Sequence, residues 1–288
     1  MHSASLRCES YSNVAQQKPS EMNGSTGKAL SASALKLRLL KSLKCTTSFE
    51  KAAWQGGAHF VAGVDEVGRG ALFGCVVAAA CILNPADRIR GLRDSKLLTA
   101  AEREKLAERI RRRAIAWSVA EVDAARIDQV NIYQASLLAM KMAVERLEPC
   151  PDFLLVDAAA LDVACAQKKI IHGDALSASI AAASILAKVH RDAIVREWDA
   201  IYPQYGLASN KGYSTPAHKL ALQQHGPTPL HRQSYAPVYG LAGDLQEVLD
   251  FPDDLDGSEI EALEDIEAME CDSNVEDNEE LVNEESEC

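Results

Sequence analysis

The stretch Phe60–Gly70, F-V-A-G-V-D-E-V-G-R-G, decides the reading of this 288-residue chain. Phe60, Val61, Ala62 and Val64 make its first half apolar, as a buried strand is. Asp65 and Glu66 follow, then Gly68-Arg69-Gly70, a turn with one cation between two glycines. Neighbouring strand residues point to opposite faces. Asp65 and Glu66 therefore serve one site only if the strand ends or bulges there. The glycines suggest that it does, because glycine takes conformations that other residues resist. Carboxylates at a strand end before a glycine turn suit a hard cation beside a phosphate backbone. Taken alone, the same stretch also reads as a surface hairpin with a Glu–Arg pair.

Outward from it, the hydrophobic fraction of 47% is ample for a core. No apolar run reaches the roughly 18 residues of a membrane span, and the polar N-terminus has no secretory apolar core. The eight cysteines form no C-x-x-C pair, which points away from a zinc site and a disulfide framework and toward a reducing cytoplasm. Cys75 and Cys81 lie in an apolar run and read as buried filler. The net charge of −12 hides an asymmetry: residues 241–288 hold 20 acidic residues and no Lys or Arg, which leaves +8 on residues 1–240. A basic body with an acidic appendage fits a nucleic-acid-binding domain. Residues 1–48 are expected to be a disordered extension, with a short basic amphipathic helix at 35–44. Residues 49–240 are expected to form one domain, and residues 241–288 an acidic disordered tail.

Strands are expected at Phe60–Asp65, Leu72–Leu83, Ala114–Val122, Phe153–Asp157 and Lys168–His172. Helices are expected at Ala100–Arg113, opened by the capping box Thr99-x-x-Glu102, and at Asn131–Leu147, Ser177–Ile201 and Thr215–His225. Strands first, then strands alternating with helices, give a mixed α/β sheet flanked by helices.

Three further blocks matter: Asp157 ending F-L-L-V-D, Asp174 after K-K-I-I-H-G, and S-A-S-I-A-A-A-S-I-L-A-K-V-H-R-D from Ser177. Lys211-Gly212-Tyr213-Ser214-Thr215 comes near the end. Together with G-V-D-E-V-G-R-G, from about Glu50 to about Val238, these resemble the ribonuclease HII (type 2 ribonuclease H) family. The resemblance implies a ribonuclease H-like fold with a small helical C-terminal lobe. It implies a metal-dependent endonuclease that cuts the RNA strand of RNA–DNA hybrids and cuts at ribonucleotides embedded in duplex DNA, leaving 3′-hydroxyl and 5′-phosphate ends. Asp65, Glu66, Asp157 and Asp174 become the catalytic, metal-binding set for two Mn²⁺ or Mg²⁺ ions, which prefer oxygen ligands. Gly68, Arg69 and Gly70 resemble the family's sensor of the ribose 2′-OH, the group that separates RNA from DNA. Tyr213 resembles the tyrosine that packs on the next sugar. Ser95, Lys96, Asn131 and Gln134 fall where the family contacts the nucleic-acid backbone.

Asp192 lies about four turns along its helix and reads as the structural partner of Arg191 or Arg196. The chain departs from the family at Cys75 and His172, where proline and lysine are usual. A non-catalytic junction-binding protein of the same fold is the alternative, and it requires a missing acid where none is missing. A monomer with no membrane partner is expected. Gln246-x-x-Leu249-x-Phe251 loosely resembles the peptides that dock on sliding clamps.

Overall fold

A computed structural model describes residues 43–239. The element order is α1 (Ser48–Gln55), β1 (Val61–Val67), β2 (Val76–Ile82), α2 (Ala100–Arg113), β3 (Ala116–Val122), α3 (Ala124–Val130), α4 (Ile132–Glu145), β4 (Phe153–Asp157), β5 (Ala166–Ile170), α5 (Gly173–Leu176), α6 (Ala178–Ile201), α7 (Leu207–Asn210), α8 (Pro216–His225) and α9 (Ala236–Tyr239). The expectations at 1–42 and 240–288, which include the basic helix, the acidic tail and the clamp-like peptide, lie outside the described residues. No helix among the described residues is long and apolar enough to cross a membrane.

The five strands form one mixed sheet in the order β3-β2-β1-β4-β5. β1 pairs antiparallel with β2, and β2 with β3; β4 lies parallel to β1, and β5 parallel to β4. Side-chain alternation splits β2 between two cores. Val76, Ala78, Ala80 and Ile82 face the α4 side with Ala139, Met140 and Ala143. Val77, Ala79 and Cys81 face α2 and α6 with Leu106, Ile110, Ala183 and Leu186. A strand covered on both faces needs apolar residues at every position, which accounts for the unbroken run and for buried Cys75 and Cys81. α6 lies so close to β1 that a Cβ on Gly63 would fall on the backbone of Ser179 and Ile180.

Helix boundaries agree with the chemistry of their caps. Thr99 and Glu102 form the reciprocal box at α2, Asn131 caps α4, Ser177 caps α6 and Thr215 caps α8. Five helices lack a sequence forecast: α1, α3 and the four-residue turns α5, α7 and α9. The second strand differs most from expectation. It begins at Val76 rather than Leu72, because residues 71–74 bond to the C-terminal lobe. Leu72 N–H donates to Gly212 C=O (2.8 Å) and Gly74 N–H to Leu230 C=O (2.8 Å). That lobe has its own small core, in which Phe73 packs among Val195, Tyr205, Leu207 and Leu222.

Candidate active site

Asp65 and Glu66 sit inside β1, not at its end. The strand continues to Val67 against β2, with Asp65 opposite Ala79 and Glu66 opposite Ala78. The expected strand end exists on the other side only: the parallel ladder to β4 stops at Val64–Val156. Beyond that point Asp65, Glu66 and the last residue of β4, Asp157, are free of the ladder on the sides that face each other. Asp174 enters from α5, just after β5. Its neighbour Gly173 donates its N–H to Asp157 Oδ1 at 2.7 Å, which ties the two acids together.

The electrostatics report the crowding. Burial, then the charges of Asp157, Glu66 and Asp174, hold the Asp65 carboxyl well above the usual carboxylate range. Burial, then Asp174 and Glu66, push Asp157 up to about 7. Glu66 is raised by burial although Arg69, at 3.2 Å, opposes this. Like charges in a low-dielectric site disfavour ionisation. Lys96 answers from outside, its Nζ 3.3 Å from Asp174 Oδ2. Burial works against its ammonium, but Asp174, Asp94 and Asp65 outweigh that and raise its pKa. Asp94, between β2 and α2, is thus a fifth acid at the rim; burial and then Asp174 raise its carboxyl.

The four acids offer only oxygen donors and an excess of negative charge, which fits Mg²⁺ or Mn²⁺ and not a soft metal. Among the described residues no group of three or more His, Cys, Asp or Glu side chains is placed to enclose an ion unaided. Carboxylates in such a site share an ion with water and phosphate oxygen, as Mg²⁺ commonly requires.

The remaining candidates fall into two groups. Gly68, Arg69, Gly70 and Tyr213 are brought together. The chain bridges at Ala71–Tyr213, and two arginines that the sequence did not single out for this role fasten the turn. Arg232, 0% exposed, donates to Gly68 C=O (2.7 Å), Arg69 C=O (2.6 Å) and Gly74 C=O (3.0 Å). Arg191, also 0% exposed, donates to Lys211 C=O (3.0 Å), packs against Gly68 and stacks on the Tyr213 ring at 5.3 Å. A trans peptide points its C=O and N–H in opposite directions. With the Gly68 and Arg69 carbonyls turned onto Arg232, the N–H groups of Arg69 and Gly70 point away from it, and both residues are exposed. Arg191 stands in the conspicuous run from Ser177 to Asp192, but nothing in the spacing of either arginine marks it as a support of the glycine turn.

Tyr213 is held from below by two buried histidines. His231 Nδ1 accepts the Thr228 N–H (2.9 Å), His231 and His218 meet Nε2 to Nε2 (3.2 Å), and His218 Nδ1 donates to Tyr213 C=O (3.0 Å). Both rings satisfy every nitrogen when neutral: His231 donates from Nε2, and His218 accepts there.

Lys96, Asn131 and Gln134 are exposed, but Asn131 Oδ1 is occupied in capping Gln134 N–H (3.1 Å). Ser95 is buried and its hydroxyl bonds the Ser184 hydroxyl (3.0 Å). Asp192 pairs with neither Arg191 nor Arg196. It meets Lys188 at 2.9 Å and Arg103 at 3.9 Å, while Arg196 pairs with Glu104. Arg191 is unavailable because its guanidinium is spent on backbone carbonyls.

The family model for ribonuclease HII matches residues 62–238. The chain is 67% identical over 228 residues to a ribonuclease HII of Koribacter versatilis, covering 79% of this chain and 89% of that one. It is 59% identical over 195 residues to one of Solibacter usitatus, covering 68% and 86%. Its fold superimposes on the ribonuclease H2 of Pyrococcus horikoshii with a TM-score of 0.57 at 26% identity, covering 64% of this chain and 97% of that one. Archaeoglobus fulgidus ribonuclease HII, solved as a complex with PCNA, gives 0.54 at 25% identity, covering 66% and 98%. The mixed sheet, the acid cluster and these matches agree, and the chain belongs to the ribonuclease HII family, whose members are endoribonucleases.

Proposed function

We propose that this chain is a divalent-metal-dependent endonuclease that cleaves the RNA strand of RNA–DNA hybrids and cuts at single ribonucleotides within duplex DNA, leaving 3′-hydroxyl and 5′-phosphate ends. The observation that carries this reading is the gathering of Asp65, Glu66, Asp157 and Asp174, four mutually repelling carboxylates, at the end of the β1–β4 ladder. Bound Mg²⁺ or Mn²⁺ would polarise the phosphate, lower the pKa of an attacking water and stabilise the leaving oxygen. Asp65 and Glu66 from one strand, with Asp157 and Asp174 from the far side, are the ligands assigned to these ions. Lys96 neutralises Asp174 and lies where it can meet a backbone phosphate. The outward N–H groups of Arg69 and Gly70 suit a 2′-OH, and the Tyr213 ring suits the sugar beside it. Asn131 and Gln134 are assigned to the backbone of the duplex.

The catalytic domain is assigned to 49–240, with 1–48 and 241–288 as appendages, in a monomeric cytoplasmic protein. A sliding-clamp contact through Gln246–Phe251 is part of the same proposal, in parallel with the PCNA complex of the archaeal relative. The test is cleavage of a duplex carrying one ribonucleotide, with Mn²⁺, with Mg²⁺ and with chelator. Cleavage that leaves 3′-hydroxyl and 5′-phosphate ends is expected with metal only. Asp65→Asn should nearly abolish it while hybrid binding survives, because the basic body is untouched. Turnover by Asp65→Asn equal to wild type at saturating metal overturns the assignment.

A further inference from the structure

The family model begins at residue 62, yet the junction that carries Asp174 is closed by residues upstream of it. A helix start leaves unpaired N–H groups. At the start of α6 their partners come from α1 and the segment before it. Thr46 C=O accepts the Ala178 N–H (2.9 Å), and Thr46 N–H donates to Leu176 C=O (2.9 Å). Glu50 Oε1 accepts both the Ser177 hydroxyl (2.7 Å) and the Ser179 N–H (2.7 Å). Glu50 and Ser177 are both 0% exposed. Burying a carboxylate is costly, so space-filling does not account for Glu50; what it grips is the turn between α5 and α6.

That turn leads directly to the acids. Ser177 N–H closes α5 on Gly173 C=O (2.8 Å), and Gly173 N–H bonds Asp157 Oδ1 (2.7 Å). A continuous run of bonds therefore joins Glu50, Ser177, Gly173 and Asp157, with Asp174 inside it. α5 is a single turn of four residues, too short to hold its own geometry. We propose that Glu50 is a positioning residue that, through Ser177, fixes α5 and so sets Asp174 and Asp157 at the separation a divalent ion requires. Groups behind metal ligands have this effect on metal affinity elsewhere.

The inference rests on the metal-site reading above, and one titration separates them. Mn²⁺ is titrated calorimetrically into the full chain without nucleic acid, for wild type, Asp174→Asn, Glu50→Ala and Glu50→Gln, with melting measured alongside. Asp174→Asn should weaken Mn²⁺ binding; unchanged binding there overturns the metal-site reading itself. Glu50→Ala should weaken it by about tenfold, whereas Glu50→Gln, which keeps an acceptor oxygen in place, should stay close to wild type. A lowered melting temperature with wild-type Mn²⁺ affinity in Glu50→Ala means a structural role only and overturns the proposal. Equal loss in Glu50→Gln and Glu50→Ala overturns the hydrogen-bonding basis. If Glu50→Ala does not fold, Ser177→Ala carries the comparison: weaker Mn²⁺ binding supports the proposal and unchanged binding overturns it.

Discussion

The two glycines of Gly68-Arg69-Gly70 are alike in sequence and opposite in structure, and an alanine at each separates folding from recognition. Gly68 has φ +94°, and a Cβ there would lie 2.8 Å from Cδ and 3.0 Å from Cζ of the buried Arg191. A non-glycine residue at positive φ costs about 1–2 kcal/mol. Displacing Arg191 also loosens its bonds to the carbonyls of Lys211, Cys75 and Phe73, each worth about 1 kcal/mol or more. Gly68→Ala should therefore cost about 4 kcal/mol, or a melting decrease of about 10 °C for a domain of this size. Gly70 has no such constraint: its φ is not in the left-handed region, and an added Cβ meets nothing within 4 Å. Gly70→Ala should leave stability within about 0.5 kcal/mol. Yet its methyl would stand on the exposed side of the turn, where the sugar is proposed to lie. Cleavage at a lone ribonucleotide should fall by about tenfold or more, as it does when one carbon fills a fitted pocket. The assay is thermal unfolding beside kcat/KM on a duplex with a single ribonucleotide. Gly70→Ala that melts and cleaves like wild type refutes the role given to the outward N–H groups. Equal melting losses in both variants refute the structural argument.

Asp192→Asn should lose about 1–2 kcal/mol of stability, because it gives up Lys188 and the Arg103 that braces Ser95 C=O and Leu98 C=O; its cleavage rate should remain within a few-fold of wild type. Complete loss of activity in a folded Asp192→Asn protein would make it one of the metal-site acids. The histidine pair predicts an acid limit on stability. Burial, and then His218, hold His231 down at about 4, against 6.5 ordinarily. Between these values the unfolded chain binds more protons, so stability is fully present above pH 6.5 and is lost as pH falls toward 4, by up to about 3 kcal/mol. Melting of wild type and His231→Gln across this range checks it, and identical pH slopes would remove His231 as the cause.

The sequence by itself determined most elements, because their causes are local: a strand buried on both faces must be apolar throughout, and a capping side chain must precede its helix. α2, α4, α6 and α8 were legible for that reason. Asp65, Glu66, Asp157 and Asp174 were singled out by the resemblance of their sequence blocks to the ribonuclease HII family, not by any spacing along the chain. Only the tertiary structure decided how two adjacent strand residues share one site. β1 does not end at Asp65; its ladder to β4 ends there while its ladder to β2 goes on, and register between strands distant in sequence is not written in either strand. The same holds for the partners of Asp192 and for the arginines under the glycine turn. Residues 68 and 232, or 50 and 177, meet because helices and lobe pack against the sheet. No period or spacing along the chain encodes a hydrogen bond across that distance, so α1, Glu50 and Arg232 gained their meaning only once the chain was folded.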